Sequence, residues 1–199
     1  MKKNMWLHLI VVLTVVFAFT PLSLAQNYNP LPDTGQTQCY DVAGNVITCP
    51  VEGQPLHGQD AQYQGAAPAY LDNGNGTITD LNTGLMWMRA TADANGDGTI
   101  DSNDRITWQA AIDYCAGTIF AGHGDWRLPT KFELQSIVDY GRYGPSINPV
   151  FISLSSYYCS ATTLTRNTAY AWYIYFNYGA DSMTVKTSDN YVRCVRSGV

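Results

Sequence analysis

Acidic and amide side chains recur at alternate positions in residues 93–104. Proteins hold calcium with about six to eight oxygen ligands, and a 12-residue loop supplies them from positions 1, 3, 5, 7, 9 and 12. In this chain those positions are Asp93, Asn95, Asp97, the carbonyl of Thr99, Asp101 and Asp104. Gly98 at position 6 permits the sharp turn that such a loop needs. We therefore predict Ca²⁺ as a cofactor, with these six residues as its ligands.

The loop resembles an EF-hand loop or, because Asp104 stands at position 12, a dockerin loop. Two features differ from those families. Residues 85–89, which precede the loop, have the pattern of a strand rather than of an entering helix, and only one copy of the loop occurs. The alternative is an acidic, solvated insertion that binds no metal. If calcium is bound, we expect it to order the loop ahead of the first predicted helix.

Groups suited to catalysis are few. After the N-terminal segment the only histidines are His57, in a stretch rich in Gln, Pro and Gly, and His123, in a glycine-rich loop. No nucleophile motif of the strand–turn–helix kind occurs. We therefore predict no catalytic residue and no enzyme activity. An exported enzyme stays open as the last of three hypotheses about function.

The C-terminal half is rich in tyrosine, since nine of the 14 tyrosines lie in residues 140–191, among Ser, Asn, Thr and Gly. This composition is typical of paratopes, which combine rigid amphipathic rings with adaptable polar neighbours. Tyr173 and Tyr175 alternate with apolar residues in a predicted strand and so face its opposite side. We predict a ligand-binding surface formed by Tyr158, Tyr173, Tyr175 and Tyr178. The alternative is ordinary strand propensity, which Tyr has.

Two helices and several strands are predicted to position these residues. The first helix has an apolar face, an N-cap and a terminal glycine: Trp108, Ala111, Ile112 and Cys115, with Thr107 before them and Gly117 after. The second begins at a capping box from Thr130 to Glu133 and is expected to end at Gly141. Short strands with tight turns are predicted over residues 70–87, and longer ones over 171–176, 183–187 and 191–196. This order indicates an α+β domain with an antiparallel sheet.

The N-terminus has the three parts of a secretory signal peptide. Lys2 and Lys3 precede an apolar run, and Ser23 and Ala25 place small residues before a cleavage site. A membrane anchor is the alternative, but the run is shorter than the roughly 20 residues that span a bilayer. We predict a signal peptide over residues 1–25, an extended arm with a small hairpin over 26–66, and the main domain over 67–199. The protein is expected to be secreted, periplasmic or at the cell surface, with no membrane span after cleavage.

The charge balance argues against nucleic acid as a partner. Without Lys2 and Lys3, nine basic residues remain against sixteen acidic ones, a net charge of −7. Phosphate binding needs a concentrated positive surface, which such a composition does not favour.

Five cysteines in an exported chain indicate disulfides with one thiol left over. Several pairings are open to them, and the sequence alone does not choose among these. Cys39 and Cys49 flank a turn at residues 43–45, so a bridge across a hairpin is natural there. Cys115 and Cys194 are the candidate long-range pair, which would leave Cys159 as the odd thiol.

Several stretches together resemble the Lcl C-terminal domain family, which belongs to the wider C-type-lectin-like fold. In order along the chain they are Asp72-Asn73-Gly74-Asn75-Gly76-Thr77 with Asp80, Asn82-Thr83-Gly84-Leu85-Met86-Trp87, Trp108-Gln109-Ala110-Ala111, Gly124-Asp125-Trp126-Arg127-Leu128-Pro129-Thr130 with Glu133-Leu134, Ala171-Trp172, and Tyr191-Val192-Arg193-Cys194-Val195-Arg196. The resemblance covers roughly residues 70–196. The acidic loop, residues 93–104, would be an insertion within it.

The resemblance implies a C-type-lectin-like fold in which two helices pack on a small antiparallel sheet with long loops. It also implies a disulfide from a helix to the last strand, in agreement with the Cys115 and Cys194 pairing. The implied function is that of an exported bacterial module for adhesion or recognition, with a protein or a glycan as ligand. A structural component of a cell-surface or extracellular assembly is the second hypothesis.

Overall fold

The computed structural model describes residues 31–63 and 65–198 as an α+β protein with few helices and several small antiparallel sheets. The predicted signal peptide and the first residues of the predicted arm lie outside these ranges. Within the described ranges, no helix combines the length and the apolar character required to cross a membrane.

Three sheets and two helices make up the framework. The strands are β1 (Cys39–Tyr40), β2 (Val46–Ile47), β3 (Tyr70–Asp72), β4 (Thr77–Asp80), β5 (Leu85–Met88), β6 (Tyr157–Thr163), β7 (Tyr170–Tyr175), β8 (Ala180–Val185) and β9 (Val195–Ser197). The helices are α1 (Trp108–Gly117) and α2 (Lys131–Ser136), with short 3₁₀ turns at Asp60–Gln62 and Ser102–Asp104. The sheets have the orders β1-β2, β3-β4-β5-β9 and β6-β7-β8, and each of their strand pairs is antiparallel.

Both helices begin where the sequence predicts. The hydroxyl of Thr107 accepts the N–H of Ala110, which caps α1. At α2 the capping box is complete, since Thr130 accepts the Glu133 N–H and Glu133 accepts the Thr130 N–H. Each cap supplies a partner for an N–H group that the helix leaves unpaired.

The predicted end of α2 at Gly141 is wrong, because the helix stops at Ser136. Val138 instead forms an antiparallel bridge with Ile147, and the N–H of Asp139 donates to the carbonyl of Ser146. These bonds draw the chain into an extended path against a later loop. The helical spacing of apolar residues therefore continues past the end of the helix itself.

The last predicted strand is also shorter than expected. Ordered pairing with β5 covers Val195–Ser197, whereas Asn190 and Tyr191 each form a single bridge, to Ile106 and Tyr158 respectively. The segment before β9 thus connects Ile106, which lies just before α1, to Tyr158 in β6, and it does not extend a single sheet.

Two buried clusters form the core on either side of β6 and β7. The larger cluster is centred on Ile78, Trp87, Leu134, Tyr158, Ile174 and Phe176. The second surrounds the α1 side and contains Met88, Ala111, Trp126, Leu128, Cys159 and Val192. Both helices pack against β6, and α2 also packs against β7, so helices support both tyrosine-bearing strands.

The expected disulfides are confirmed. Cys39 is bonded to Cys49 across the β1-β2 hairpin, and Cys115 on α1 is bonded to Cys194 just before β9. Cys159 is a free, buried cysteine in β6. Its burial raises the pKa of the thiol to about 12, which keeps the group protonated at neutral pH.

The arm is tied to the main domain by backbone contacts. Pro32 forms a parallel bridge with Ala66, and the N–H of Tyr140 donates to the carbonyl of Thr34 over 2.7 Å. The carboxylate of Asp33 accepts the N–H groups of Gly35 and Gly65. These bonds fold the arm back on itself and attach it beside α2.

Candidate ligand-binding surface and acidic loop

Four tyrosines on and beside β6 and β7 form a connected group, called here the tyrosine cluster: Tyr157, Tyr173, Tyr175 and Tyr178. The rings of Tyr157 and Tyr175 stack with centroids 4.2 Å apart and an interplanar angle of 19°. Tyr173 meets the Tyr157 ring edge-on at 5.2 Å, and Tyr178 meets the Tyr175 ring edge-on at 4.8 Å. Such pairs stabilise one another beyond simple burial.

The cluster is accessible at the surface. Tyr178 is 59% exposed and Tyr157 is 42% exposed, while Tyr173 and Tyr175 are half-buried. A ring that is fixed by its neighbours and still exposed loses little conformational entropy when a ligand binds. The arrangement therefore combines rigidity with accessibility.

Strand alternation explains why these rings share a face. Ile174 and Phe176 are fully buried, and the residues that alternate with them, Tyr173 and Tyr175, point to the opposite side. Tyr157 stands directly across from Tyr175 in the β6-β7 register, so its ring lies on the same side.

A tight turn after β7 positions Tyr178. The N–H of Gly179 donates to the carbonyl of Tyr175 over 2.9 Å. Gly179 has a φ of 82°, and a Cβ there would lie 2.6 Å from Cγ1 of Val138. Glycine is thus required both by the left-handed backbone and by the close approach of the residues after α2.

Tyr158 has to be removed from the predicted surface. Its side chain is fully buried, and its hydroxyl lies 2.5 Å from Oγ1 of Thr91 and accepts the N–H of Leu154 over 3.0 Å. It packs edge-on against Phe176 in the larger core cluster. Adjacent strand residues face opposite sides, so only one of Tyr157 and Tyr158 could reach the surface, and it is Tyr157.

The surroundings of Tyr157 disfavour ionisation of its hydroxyl. Loss of hydration raises the pKa of Tyr157, and the neighbouring phenols of Tyr175 and Tyr173 raise it further. The hydroxyl therefore stays protonated and able to donate a hydrogen bond at neutral pH.

The predicted calcium ligands all lie in one loop between β5 and α1, closed by its own hydrogen bonds. The two carboxylate oxygens of Asp93 accept the N–H groups of Gly96 and Gly98, each over 2.8 Å. Asp97 accepts the N–H of Thr99 over 2.8 Å. Two side chains thus turn the loop back on itself.

Asp104 anchors the end of the acidic loop. It is fully buried and accepts the N–H groups of Ala94 and Asp101, each over 2.8 Å. Burial acts to raise the pKa of Asp104, but the backbone N–H donors outweigh it and the pKa lies below its ordinary value. The buried carboxylate is therefore ionised at neutral pH.

The donor set of the loop consists of carboxylate, amide and carbonyl oxygens, which is the chemistry that Ca²⁺ prefers. In the arrangement seen here the carboxylates point at backbone N–H groups. No group of three or more His, Cys, Asp or Glu side chains in residues 31–63 and 65–198 is gathered as metal ligands are. The calcium site thus stays a prediction, and the loop follows a strand, β5, as the sequence indicates.

Residues 76–196, more than half of the chain, match the sequence model of the Lcl C-terminal domain. The chain belongs to the Lcl C-terminal domain family. A comparison with curated proteins finds no match. In this Lcl C-terminal domain the matched region contains the acidic loop, both helices, the tyrosine cluster and the Cys115–Cys194 disulfide, whereas the Cys39–Cys49 hairpin precedes it.

Proposed function

We propose that this protein is an exported ligand-binding module without catalytic activity, which uses the tyrosine cluster to hold a protein or glycan outside the cytoplasm. The observation that carries the proposal is the cluster itself, in which four rings joined by three contacts are partly exposed on a sheet against which both helices pack. Rigid aromatic side chains on regular strands are the most effective anchors at binding surfaces.

The chemistry of the cluster suits recognition rather than reaction. Tyrosine offers a flat apolar ring and a hydroxyl that donates and accepts hydrogen bonds, at a low cost in side-chain entropy. The exposed phenols of Tyr157 and Tyr178 could contact apolar and polar parts of one ligand together.

The proposed fold is C-type-lectin-like. Three features support it: two short helices against a small antiparallel sheet, a disulfide from α1 to the segment before β9, and membership of the Lcl C-terminal domain family. We further propose that Ca²⁺, bound by the acidic loop, stabilises the connection between β5 and α1.

A second candidate function is that of a structural component of a surface or extracellular assembly. Exposed apolar side chains on the arm favour it, since Val42, Val51 and Tyr63 are all well exposed. Apolar groups concentrated on a small hairpin region are typical of contact surfaces. In this case the arm would carry the interaction, and the tyrosine cluster would not.

The deciding experiment is a binding screen of the oxidised protein against arrays of glycans and of extracellular proteins. We expect saturable binding that Tyr175→Ala weakens by about 2 kcal/mol or more, as at an interface hot spot. Tyr178→Ala should weaken it less, because that ring meets one other ring of the cluster, whereas the Tyr175 ring meets two.

Tyr63→Ala is the matched control, because Tyr63 is an exposed tyrosine of the arm. Binding that survives both changes in the tyrosine cluster and is lost in Tyr63→Ala would refute the proposal in favour of the structural one. Melting temperatures of all variants show whether each one is folded.

A further inference from the structure

A cavity of about 340 Å³ opens between the acidic loop, α1 and the chain that follows β5. Its lining is mostly apolar and includes Met88, Ile100, Phe120 and Ile152. Small-molecule sites are commonly of this size and character, with a few polar groups that fix the orientation of the ligand. The cavity is separate from the tyrosine cluster, which contributes no residue to it.

One wall of the cavity is an aromatic ring held in place by a tight turn. Phe120 and His123 exchange backbone hydrogen bonds of 2.9 and 3.0 Å, and the indole N–H of Trp126 donates to the Phe120 carbonyl over 3.2 Å. Ala121, inside the turn, has a φ of 51°, a conformation that is unfavourable for a residue with a Cβ. The turn thus holds Phe120 in position with Ala121 in an unfavourable backbone conformation.

The ring of Phe120 closes over Gly76. A Cβ at position 76 would lie 2.7 Å from Cζ of Phe120, so any larger residue there would displace the ring. Phe120 nevertheless keeps 37% of its surface exposed. An aromatic ring whose backbone is held by a tight turn and whose face is still partly exposed is suited to contact a ligand.

Arg89 supplies a positive charge at the same cavity. Its Nε donates to the Val150 carbonyl over 3.1 Å, and its Nη1 forms an exposed ion pair with the Asp72 carboxylate, at 3.6 Å without a hydrogen bond. The other ionisable group of the lining with a formal charge is Asp93, whose carboxylate oxygens accept N–H groups inside the acidic loop. The formal charges of these two side chains balance, but in the described residues neither Nη1 nor Nη2 of Arg89 donates a hydrogen bond, so the guanidinium group has donors left for an anionic group of a bound molecule.

We propose that this cavity binds a small aromatic or aliphatic molecule that carries one anionic group. The apolar part of the molecule lies against Phe120, Met88 and Ile152, and its carboxylate or sulfonate accepts hydrogen bonds from the guanidinium group of Arg89. A volume of about 340 Å³ suits a single small molecule rather than a segment of a polymer.

Two fluorescent probes that differ in charge test the proposal on the oxidised protein. One is 8-anilinonaphthalene-1-sulfonate, and the other is N-phenyl-1-naphthylamine, which has the same rings without the sulfonate. Both should bind saturably. Arg89→Gln should lower the affinity for the sulfonate probe about tenfold and leave the affinity for the neutral probe unchanged. Only the sulfonate accepts a charge-assisted hydrogen bond from Arg89. Phe120→Ala should lower the affinity for both probes.

The controls are Ile119→Ala, at an exposed residue next to Phe120 that does not line the cavity, and Arg166→Gln, at an exposed arginine elsewhere. Neither should change the affinity for either probe. Phe120→Leu is a second variant, which keeps an apolar wall and should retain part of the binding.

If Phe120→Ala leaves the affinity for the probes unchanged, or if Ile119→Ala lowers that affinity as much as Phe120→Ala does, the assignment of the cavity is overturned. Equal weakening of both probes by Arg89→Gln would overturn the assignment of an anionic ligand.

Discussion

The guanidinium group of Arg193 donates a hydrogen bond of 2.7 Å to the backbone carbonyl of Met88, which lies 105 residues earlier in the chain. It also donates to the carbonyls of Arg89 and Ile152, over 2.5 and 2.9 Å. The side chain is fully buried, and within the described part of the chain it has no carboxylate partner. Arg193 therefore ties the end of β5 to the loop at Ile152, beside the backbone bonds between the same segments.

Arg193→Lys should destabilise the domain strongly. A lysine carries the charge but lacks the planar fork that reaches three carbonyls at once. The Arg89 and Ile152 carbonyls keep backbone donors, whereas the Met88 carbonyl and the buried cation lose hydrogen bonds. Each unsatisfied buried group costs about 1–3 kcal/mol, and we expect a loss of about 2–4 kcal/mol in the free energy of unfolding. Urea denaturation of the oxidised protein measures it. Arg142→Lys, at an exposed arginine, is the matched control, and equal midpoints for the two variants would contradict the role assigned to Arg193.

Glu133 links the start of α2 to the segment before it, and its contribution should depend on pH. Its carboxylate accepts hydrogen bonds from Arg127 over 2.6 and 2.8 Å and from the Thr130 N–H over 2.8 Å. Arg127 is the main cause that lowers the pKa of Glu133, assisted by Thr130, while burial opposes the shift. A carboxyl group whose pKa is lowered by folding stabilises the protein above its ordinary pKa and loses that effect as the pH falls through the lower value.

We therefore expect Glu133→Gln to reduce the free energy of unfolding at pH 7 by about 1 kcal/mol, because Arg127 is partly exposed and its attraction is screened. The difference from the unchanged protein should shrink as the pH falls below the ordinary value of 4.5 and vanish in stronger acid. Thermal melts across this range measure it. Glu52→Gln, at an exposed glutamate of the arm, should show no such trend, and a deficit for Glu133→Gln that is constant with pH would contradict the linkage.

Local signals in the sequence located much of the framework. Thr107 and the Thr130–Glu133 box predicted where the helices begin, because a cap is a contact between residues three apart. The end of α2 was not predictable in the same way. It depends on the bridge between Val138 and Ile147, and no local pattern specifies that pairing.

The tyrosine cluster shows the same division. Period-two alternation placed Tyr173 and Tyr175 on one face, and the structure agrees. The choice between Tyr157 and Tyr158 depended on the register of β6 against β7, which is set by long-range packing. A prediction based on composition therefore selected the buried member of the pair.

Neither the role of Arg193 nor the cavity beside Phe120 could be predicted from a local pattern in the sequence. Arg193 stands in a run of strand-forming residues, and its three acceptors come from two distant segments of the chain. Gly76 belongs to a turn whose glycines serve the turn itself, and its contact with Phe120 spans more than forty residues. Such relationships arise only when the sheets are assembled.

Calcium binding by the acidic loop should stabilise the folded protein. A ligand that binds only the folded state at 100 times its dissociation constant adds about 2.7 kcal/mol. We expect calorimetry of the oxidised protein to show one site and thermal melts to show a higher melting temperature in calcium than in chelator. Asp97→Ala should abolish this difference, because it removes a proposed ligand. In the metal-free loop it costs only the bonds that the exposed Asp97 carboxylate accepts from the Thr99 N–H and the Asn95 side-chain amide. Asp189→Ala, at an exposed aspartate outside the loop, should preserve it. No heat of binding, or an equal loss of stability for Asp97→Ala with and without calcium, would make the loop an acidic insertion held only by its own hydrogen bonds.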